Sequence, residues 1–485
     1  MINLFALALF AFALTLVVLG AFQFYRTRKR AALIWLVVGG IALGALFFLA
    51  SRFAVQLFGA LPLALDLQEF ARNDLVPFLI GLGAVGIATL GVWFAQRRLR
   101  LAVGLVVVAT ITLLITLRVL SQNQPIANAH PTLQDIRVPE NFRVQEFARD
   151  VQEPSALAFD DAGNLYYTEL MDGNVVRLRD TNGDGAADEK KIFASGFANP
   201  RGLAWRDGML YVSSRGQINT LRDTNGDGVA DENKIILDKL FSLDVQHSNN
   251  GIAFGPDGKL YIAIGGPRVG QLELKDKTYW YEGQPRDAWQ FAGVLQVDAD
   301  GKNPKLFARG LRNPYAIAFD ANGNLYATDN GDETIPVPDG DELNLVQEGA
   351  DYGYPYFFGI PPAWSETRAP LVSFIPHTAP TGITVYNVGS AVTNAFPPRF
   401  RGDIFVALYW HARPNSRYRE VVRVVRQEQD GKINWSVRDF ADGLDRPVAL
   451  AIGPDGALYI ADLRGGKADP EAPGAIYRIS YNGQN

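Results

Sequence analysis

Four histidines and two nearly identical acidic loops carry most of the chemistry that the residue types of this chain allow. The histidines are His130, His247, His377 and His411. His130 lies in a polar stretch and reads as inert; the other three each adjoin a repeated apolar core. Imidazole is the side chain best suited to moving a proton near neutral pH. Three of them on loops of one scaffold point to a shared site. The acidic loops are DTNGDGAADE (180–189) and DTNGDGVADE (223–232). Asp180, Asn182, Asp184 and Asp188 stand at loop positions 1, 3, 5 and 9, with Gly185 at position 6. Asp223, Asn225, Asp227 and Asp231 repeat that register. Oxygen side chains spaced this way around a glycine turn suit a hard cation such as calcium. The match to an EF-hand loop is partial, because Lys191 and Lys234 stand where the bidentate glutamate belongs. A solvated hairpin tip is the alternative, since Asn-Gly and Asp-Gly are ordinary turn residues. The chain has no cysteine. Thiolate nucleophiles, disulfides, cysteine zinc sites and iron–sulfur clusters are therefore excluded, and no CxxCH motif attaches a haem.

The elements that must position these residues recur along the chain. An alternating apolar run meets an Asp-Gly or Asn-Gly turn, and a second run of the type Leu-Tyr-x-x follows. The copies are PSALAFDDAGNLYYTE (154–169), PRGLAWRDGMLYVSS (200–214), NNGIAFGPDGKLYIAIG (249–265), NPYAIAFDANGNLYATD (313–329), a diverged copy over 380–409, and RPVALAIGPDGALYIAD (446–462). Period-2 alternation with these turns predicts a β-hairpin in each. The anchors Leu157, Leu203, Ile252, Ile317, Ile383 and Leu450 are 46, 49, 65, 66 and 67 residues apart. A four-stranded propeller blade takes roughly 40–50 residues, and the longer intervals leave room for loops. Six copies predict an all-β, six-bladed β-propeller over residues 140–482. NFRVQEFA (141–148) is expected to close the ring against AIYRISY (475–481).

The rest of the chain differs in kind. Residues 1–120 hold ten Lys/Arg and three Asp/Glu, leaving 36 basic and 48 acidic residues in 121–485, a formal charge of −12. That split rules out a cytosolic single-domain enzyme. It also rules out a nucleic-acid binder, which needs a basic footprint. Residues 1–25, 31–50, 75–95 and 101–117 are almost uninterrupted apolar runs, and about 20 such residues span a bilayer core. Four transmembrane helices are expected in 1–120, so the propeller is preceded by a multi-pass lipid-embedded anchor and a linker over 121–139. The start lacks the basic n-region of a cleavable signal peptide. Basic loops follow the first span (Arg26, Arg28, Lys29, Arg30) and the third (Arg97, Arg98, Arg100). The positive-inside rule puts both in the cytoplasm and the propeller outside it, periplasmic or extracellular.

The repeat region resembles the glucose/sorbosone dehydrogenase family, whose members are six-bladed quinoproteins using pyrroloquinoline quinone (PQQ) and calcium. The resemblance rests on HSNNGIAFGPDGKLYIAIG (247–265), GLRNPYAIAFD (310–320), GDELNLVQEGADYGYP (340–355) and HTAPTGITVY (377–386), in that order. It implies oxidation of an aldose or related sugar. His247 would be the general base and Arg312 would contact the quinone carbonyls. Asn313 would position the cofactor and Arg446 would pair with one of its carboxylates. His411 and Arg413 would lie among its basic contacts. Gly331 and Asp332 fall where the family's backbone carbonyls hold calcium, with Asp341 beside them. Electrons would leave to an external acceptor such as membrane quinone. Gln246, Gly266, Asp332 and Tyr354 depart from the family pattern, and a second arginine beside Arg446 is missing. Two other functions suit the same scaffold: a non-catalytic sugar-binding propeller, and a calcium-dependent lactonase.

Overall fold

Turn chemistry sets the hairpins. In the first copy Asp160 Oδ1 accepts N–H bonds from Ala162 and Asn164, and Gly163 takes φ +85°, a conformation that favours glycine. Asp320, Asn324 and Gly323 repeat this arrangement. These contacts are seen in a computed structural model that describes residues 132–483 apart from 243–246, 267–270, 275–276, 281–290, 332–339, 355–356, 358, 375–377, 390–391, 393–394, 411–418, 430 and 465–471. The four expected spans and the linker through residue 131 lie outside the described residues. So do His130, His377, His411, Arg413 and Asp332. Among the described residues no helix is long and apolar enough to cross a membrane.

The strands run as expected from the repeat. β1 (Phe142–Val151) comes first. Blade I holds β2 (Pro154–Phe159), β3 (Leu165–Glu169), β4 (Asn174–Arg179) and β5 (Glu189–Ser195). Blade II holds β6 (Gly202–Arg206), β7 (Met209–Ser214), β8 (Gln217–Arg222) and β9 (Glu232–Leu237). Blade III holds β10 (Asn249–Phe254), β11 (Leu260–Ile264), β14 (Gly293–Val297) and β15 (Lys305–Arg309), with β12 (Gln271–Leu274) and β13 (Lys277–Trp280) as a separate ribbon. Blade IV holds β16 (Pro314–Phe319), β17 (Leu325–Asp329), β18 (Asp341–Val346) and β19 (Val372–Phe374). Blade V holds β20 (Pro380–Val385), β21 (Ile404–Leu408), β22 (Arg419–Gln429) and β23 (Lys432–Leu444). Blade VI holds β24 (Pro447–Ile452), β25 (Leu458–Asp462), β26 (Gly474–Tyr481) and, as its outer strand, β1. β1 pairs with β26 from Phe142↔Tyr481 to Val151↔Gly474, so the expected closure is the one that forms. Each blade is an antiparallel four-stranded sheet, and six blades make the propeller.

The first strand of each blade packs on the first strands of both neighbours, so β2, β6, β10, β16, β20 and β24 form the inner ring. Polar side chains fasten it at one end. Ser155 Oγ donates to Pro200 O at 2.6 Å, Asn250 Nδ2 to Pro314 O at 2.9 Å, Asn330 Nδ2 to Pro380 O at 3.0 Å, and Thr381 Oγ1 to Pro447 O at 3.1 Å. Pro314, Pro380 and Pro447 are tolerated there because each begins its strand and no ladder N–H is lost, and Pro200 lies two residues before β6. Gly251 and Gly382 let inner strands approach: a Cβ on either would lie 2.8 or 2.7 Å from the next blade's Ala316 or Ala449 Cα. The hydrophobic core is not central. It lies in clusters between neighbouring blades, such as Leu157, Tyr167 and Val176 of blade I against Val448, Tyr459 and Ile476 of blade VI.

Candidate active site

All inner strands run in one direction around the ring, so the residues just before them collect at one end of the channel. That end receives His247 from blade III, Arg312 and Asn313 from blade IV, Thr378 and Ala379 from blade V, and Asp445 and Arg446 from blade VI. His247 and Arg312 are both buried. They meet through one residue: His247 Nδ1 faces the Gly266 carbonyl, and Gly266 N–H donates to Arg312 O at 2.6 Å. A carbonyl accepts only, so Nδ1 carries a proton, and in the neutral ring it is Nε2 that has the lone pair. Gly266, a departure in the sequence, is required by this packing: a Cβ there would lie 2.8 Å from the Ala292 side chain.

Asp329, at the end of β17, fixes the segment that carries Arg312. Its carboxylate accepts Arg312 N–H at 2.9 Å and Asn313 N–H at 2.6 Å. Asn313 Oδ1 in turn accepts from Asn250 Nδ2 at 3.1 Å. Burial pushes the Asp329 carboxyl well above the usual carboxylate range, against the pull of those two amides. Glu342, opposite it in the β17–β18 ladder, is raised in the same way by burial and by the Asp329 charge. Asp341 is a second clamp. It accepts Gly331 N–H at 2.9 Å, Thr378 N–H at 2.6 Å and Ala379 N–H at 3.0 Å, so it ties blade IV to blade V.

The expected metal ligands are arranged differently from a cation cage. Gly331 O accepts Arg312 NH1 at 2.7 Å, where a calcium ion was expected, and a guanidinium and a dication on one oxygen repel. Both Asp341 oxygens already accept backbone amides. In the first acidic loop Asp180 accepts Gly183 and Gly185 N–H, Asn182 accepts Asp184 N–H and Asp184 accepts Ala186 N–H. Asp188 turns to Thr181. Asp223, Asn225, Asp227 and Asp231 do the same in the second loop. Among the described residues, no three His, Asp or Glu side chains converge as metal ligands.

Several neighbours of the site were not singled out in the sequence. Asp462 is the counterpart of Asp329: it accepts Asp445 N–H at 2.8 Å and Arg446 N–H at 2.7 Å. The shared Leu-Tyr-x-x-Asp ending of blades IV and VI was the available signal. The Arg201 guanidinium of blade II lies 5.8 Å from the centre of the Tyr315 ring of blade IV. Trp410 stacks on Tyr409 at 6.3 Å, and Arg419 lies 5.3 Å from its ring centre. No local spacing signals the Arg201 contact, which joins two blades, or the Arg419 contact, which depends on where β22 begins.

With the geometry in hand, known proteins can be compared. A quinoprotein glucose dehydrogenase B of Acinetobacter calcoaceticus is 30% identical over 133 residues, 24% of this chain and 27% of that one. An aldose sugar dehydrogenase of Escherichia coli K12 is 24% identical over 235 residues, 44% of this chain and 57% of that one. The chain thus spans between about a quarter and just over half the length of these curated relatives. Among solved structures, the PQQ domain of a pyranose dehydrogenase from Coprinopsis cinerea superposes with a TM-score of 0.54 at 15% identity, covering 71% of this chain and 97% of that one. The PQQ-bound aldose sugar dehydrogenase of Streptomyces coelicolor superposes at 0.51 with 19% identity, covering 71% and 100%. Such likenesses establish the fold. Homologues and structural neighbours therefore include PQQ-dependent sugar dehydrogenases, in keeping with the sequence resemblance. Residues 128–465 match the family model described as "Domain of unknown function (DUF7133)", and the chain belongs to that family.

Proposed function

We propose that the propeller is a PQQ-dependent dehydrogenase that oxidises an aldose or related sugar. The observation that carries this reading is the buried His247–Gly266–Arg312 link, which fixes an imidazole tautomer and ties it to the backbone of Arg312 at the channel end. The donor set fits an anionic quinone. Arg446 Nε and Arg464 Nε are buried at this end without a hydrogen-bond partner. PQQ, when bound, supplies the two-electron acceptor. Arg446 would hold one of its carboxylates with a fork that suits that group. Asn313, set by Asn250 and Asp329, would position it, and Arg312 would face its carbonyl edge. His247 Nε2 would take the substrate hydroxyl proton while Gly266 O keeps Nδ1 protonated.

Among the described residues Gly331 O is taken up by Arg312 and both Asp341 oxygens by backbone amides, and no step is assigned to calcium there. Calcium in the twin acidic loops is proposed on ligand spacing alone. Anchoring through residues 1–120, an extracytoplasmic propeller and transfer to a membrane quinone belong to this proposal and rest on the apolar runs and basic loops. The test is dye-linked sugar oxidation by the purified full chain, with and without added PQQ, against His247→Ala. PQQ-dependent turnover reduced at least about a hundredfold in the variant supports the reading. Failure of the wild type to bind PQQ, or unchanged turnover in His247→Ala, rejects it.

A further inference from the structure

In sequence Arg446 stands beside Asp445, with no second arginine next to it. The fold supplies two from other elements. Arg419 opens β22 directly opposite Leu444, and its NH1 donates to Asp445 Oδ1 at 2.9 Å. Arg464 follows β25, and its N–H donates to Asp462 Oδ1 at 3.2 Å. That same oxygen accepts Arg446 N–H at 2.7 Å. Asp445 and Asp462 thereby hold the Arg419 guanidinium and the backbone amides of Arg446 and Arg464.

Three features mark the cluster as unfinished by the protein. The Nε atoms of Arg419, Arg446 and Arg464 are all buried and none has a hydrogen-bond partner. An unpaired buried N–H costs about 1–3 kcal/mol, and a cost repeated at neighbouring residues calls for an acceptor from outside. Arg464 also takes φ +52°, a strain that non-glycine residues hold mainly where function requires the placement. The balance of charge is positive, because three arginines stand against two carboxylates, only Asp445 is bonded by a guanidinium, and burial disfavours ionisation of Asp462. Beside them Trp410 is 47% exposed and backed by Tyr409. Its backbone N–H donates to Thr378 O at 2.8 Å.

We propose that Arg419 and Arg464 join Arg446 in a three-guanidinium pocket, walled by Trp410, that takes the carboxylate edge of a flat polyanionic ring ligand. Guanidinium forks bind carboxylates in plane, and an indole face stacks on a planar ring. The identity of that ligand as PQQ rests on the functional reading above; the pocket does not.

The experiment measures binding to the full chain by calorimetry and tryptophan quenching. The probes are PQQ, its trimethyl ester and benzene-1,3,5-tricarboxylate. Arg464→Gln and Arg419→Gln should each weaken PQQ at least about tenfold, or about 1.4 kcal/mol, and leave the ester unchanged. Asp445→Asn, which frees Arg419 from its ion pair, should tighten PQQ. A purely structural Arg419 would instead make Asp445→Asn bind more weakly. Arg464 bonds through its backbone, so Arg464→Gln decides the matter if Arg419→Gln fails to fold. PQQ binding by Arg464→Gln within about twofold of wild type overturns the pocket and leaves the quinoprotein reading intact. Tricarboxylate binding that depends on Arg464, without PQQ binding, upholds the pocket and overturns that reading. Binding of neither by the wild type overturns both.

Discussion

Asp341 and Asp403 show how single buried carboxylates hold this ring together. Asp341 accepts three backbone N–H groups from two blades. An amide in its place presents a donor to some of those donors, and unsatisfied buried groups follow. Asp341→Asn is expected to lower stability by about 2–4 kcal/mol, read as a drop in denaturation midpoint with unchanged slope. It should also weaken PQQ binding, because Gly331 and with it Arg312 lose their register. Asp403 acts through pH. It lies 3.2 Å from Arg423 Nε, yet burial outweighs Arg423 and Arg438 and pushes its carboxyl up to about 6. An unfolded aspartate titrates near about 3.9, so the folded state holds the proton more tightly. The resulting stability is full below that value and is lost as pH rises through about 6. Thermal melts from pH 3.5 to 7 should fall more steeply for the wild type than for Asp403→Asn, by on the order of 2 kcal/mol across the window. Parallel curves would show that Asp403 is ordinary.

At the scale of elements, the twin acidic loops are clasps between blades. Ala187 N–H donates to Phe147 O of β1 at 2.7 Å, and Ala230 N–H donates to Phe193 O of β5 at 2.8 Å. Each loop thus reaches from its own blade to the outer strand of the blade before it. Gly228, at φ +83°, lies where a Cβ would meet the Arg177 guanidinium at 2.2 Å. Gly228→Ala is expected to cost about 1–3 kcal/mol and to loosen the seam between blades I and II. Hydrogen exchange at the Ala230 amide would report it. If calcium fills these loops, its removal by chelator lowers the melting temperature by several degrees, as ligand linkage requires. Asp184→Asn with Asp227→Asn should abolish that response. A melting curve indifferent to calcium and chelator would leave the loops as hydrogen-bonded turns.

Taken whole, the ring was more legible in the sequence than the site was. The six hairpins follow from alternation and turn residues that act within a dozen positions, and their pairing, such as Leu157 with Tyr167 and Ile317 with Ala327, is local too. Closure was legible because two apolar strands remained unpartnered. His247, Arg312 and Arg446 were found through extended motifs. Arg419 was not, since it meets Asp445 across 26 residues and only the pairing of β22 with β23 brings them together. The Arg312 bond to Gly331 O was missed because a motif names residues but not which partner each side chain takes. At this scale the seam carries its own prediction. Phe142 meets Phe396, Phe400, Phe440 and Tyr481 with ring centres 4.8–5.4 Å apart. Phe142→Ala should cost about 3 kcal/mol, measured by chemical denaturation, whereas a loss below about 1 kcal/mol would mean that the aromatic cluster closes without it.

Because β1 waits for β26, the order of synthesis matters. A nascent chain shows residues 142–151 to its surroundings well before their partner at 474–481 is made. Until then an amphipathic strand and the flank of blade I stay unshielded. Non-local pairing of this reach is slow and leaves an interval in which chains can cross-pair. Holdase chaperones acting on the emerging polypeptide should therefore bind this early strand, and yield on expression should respond to their supply.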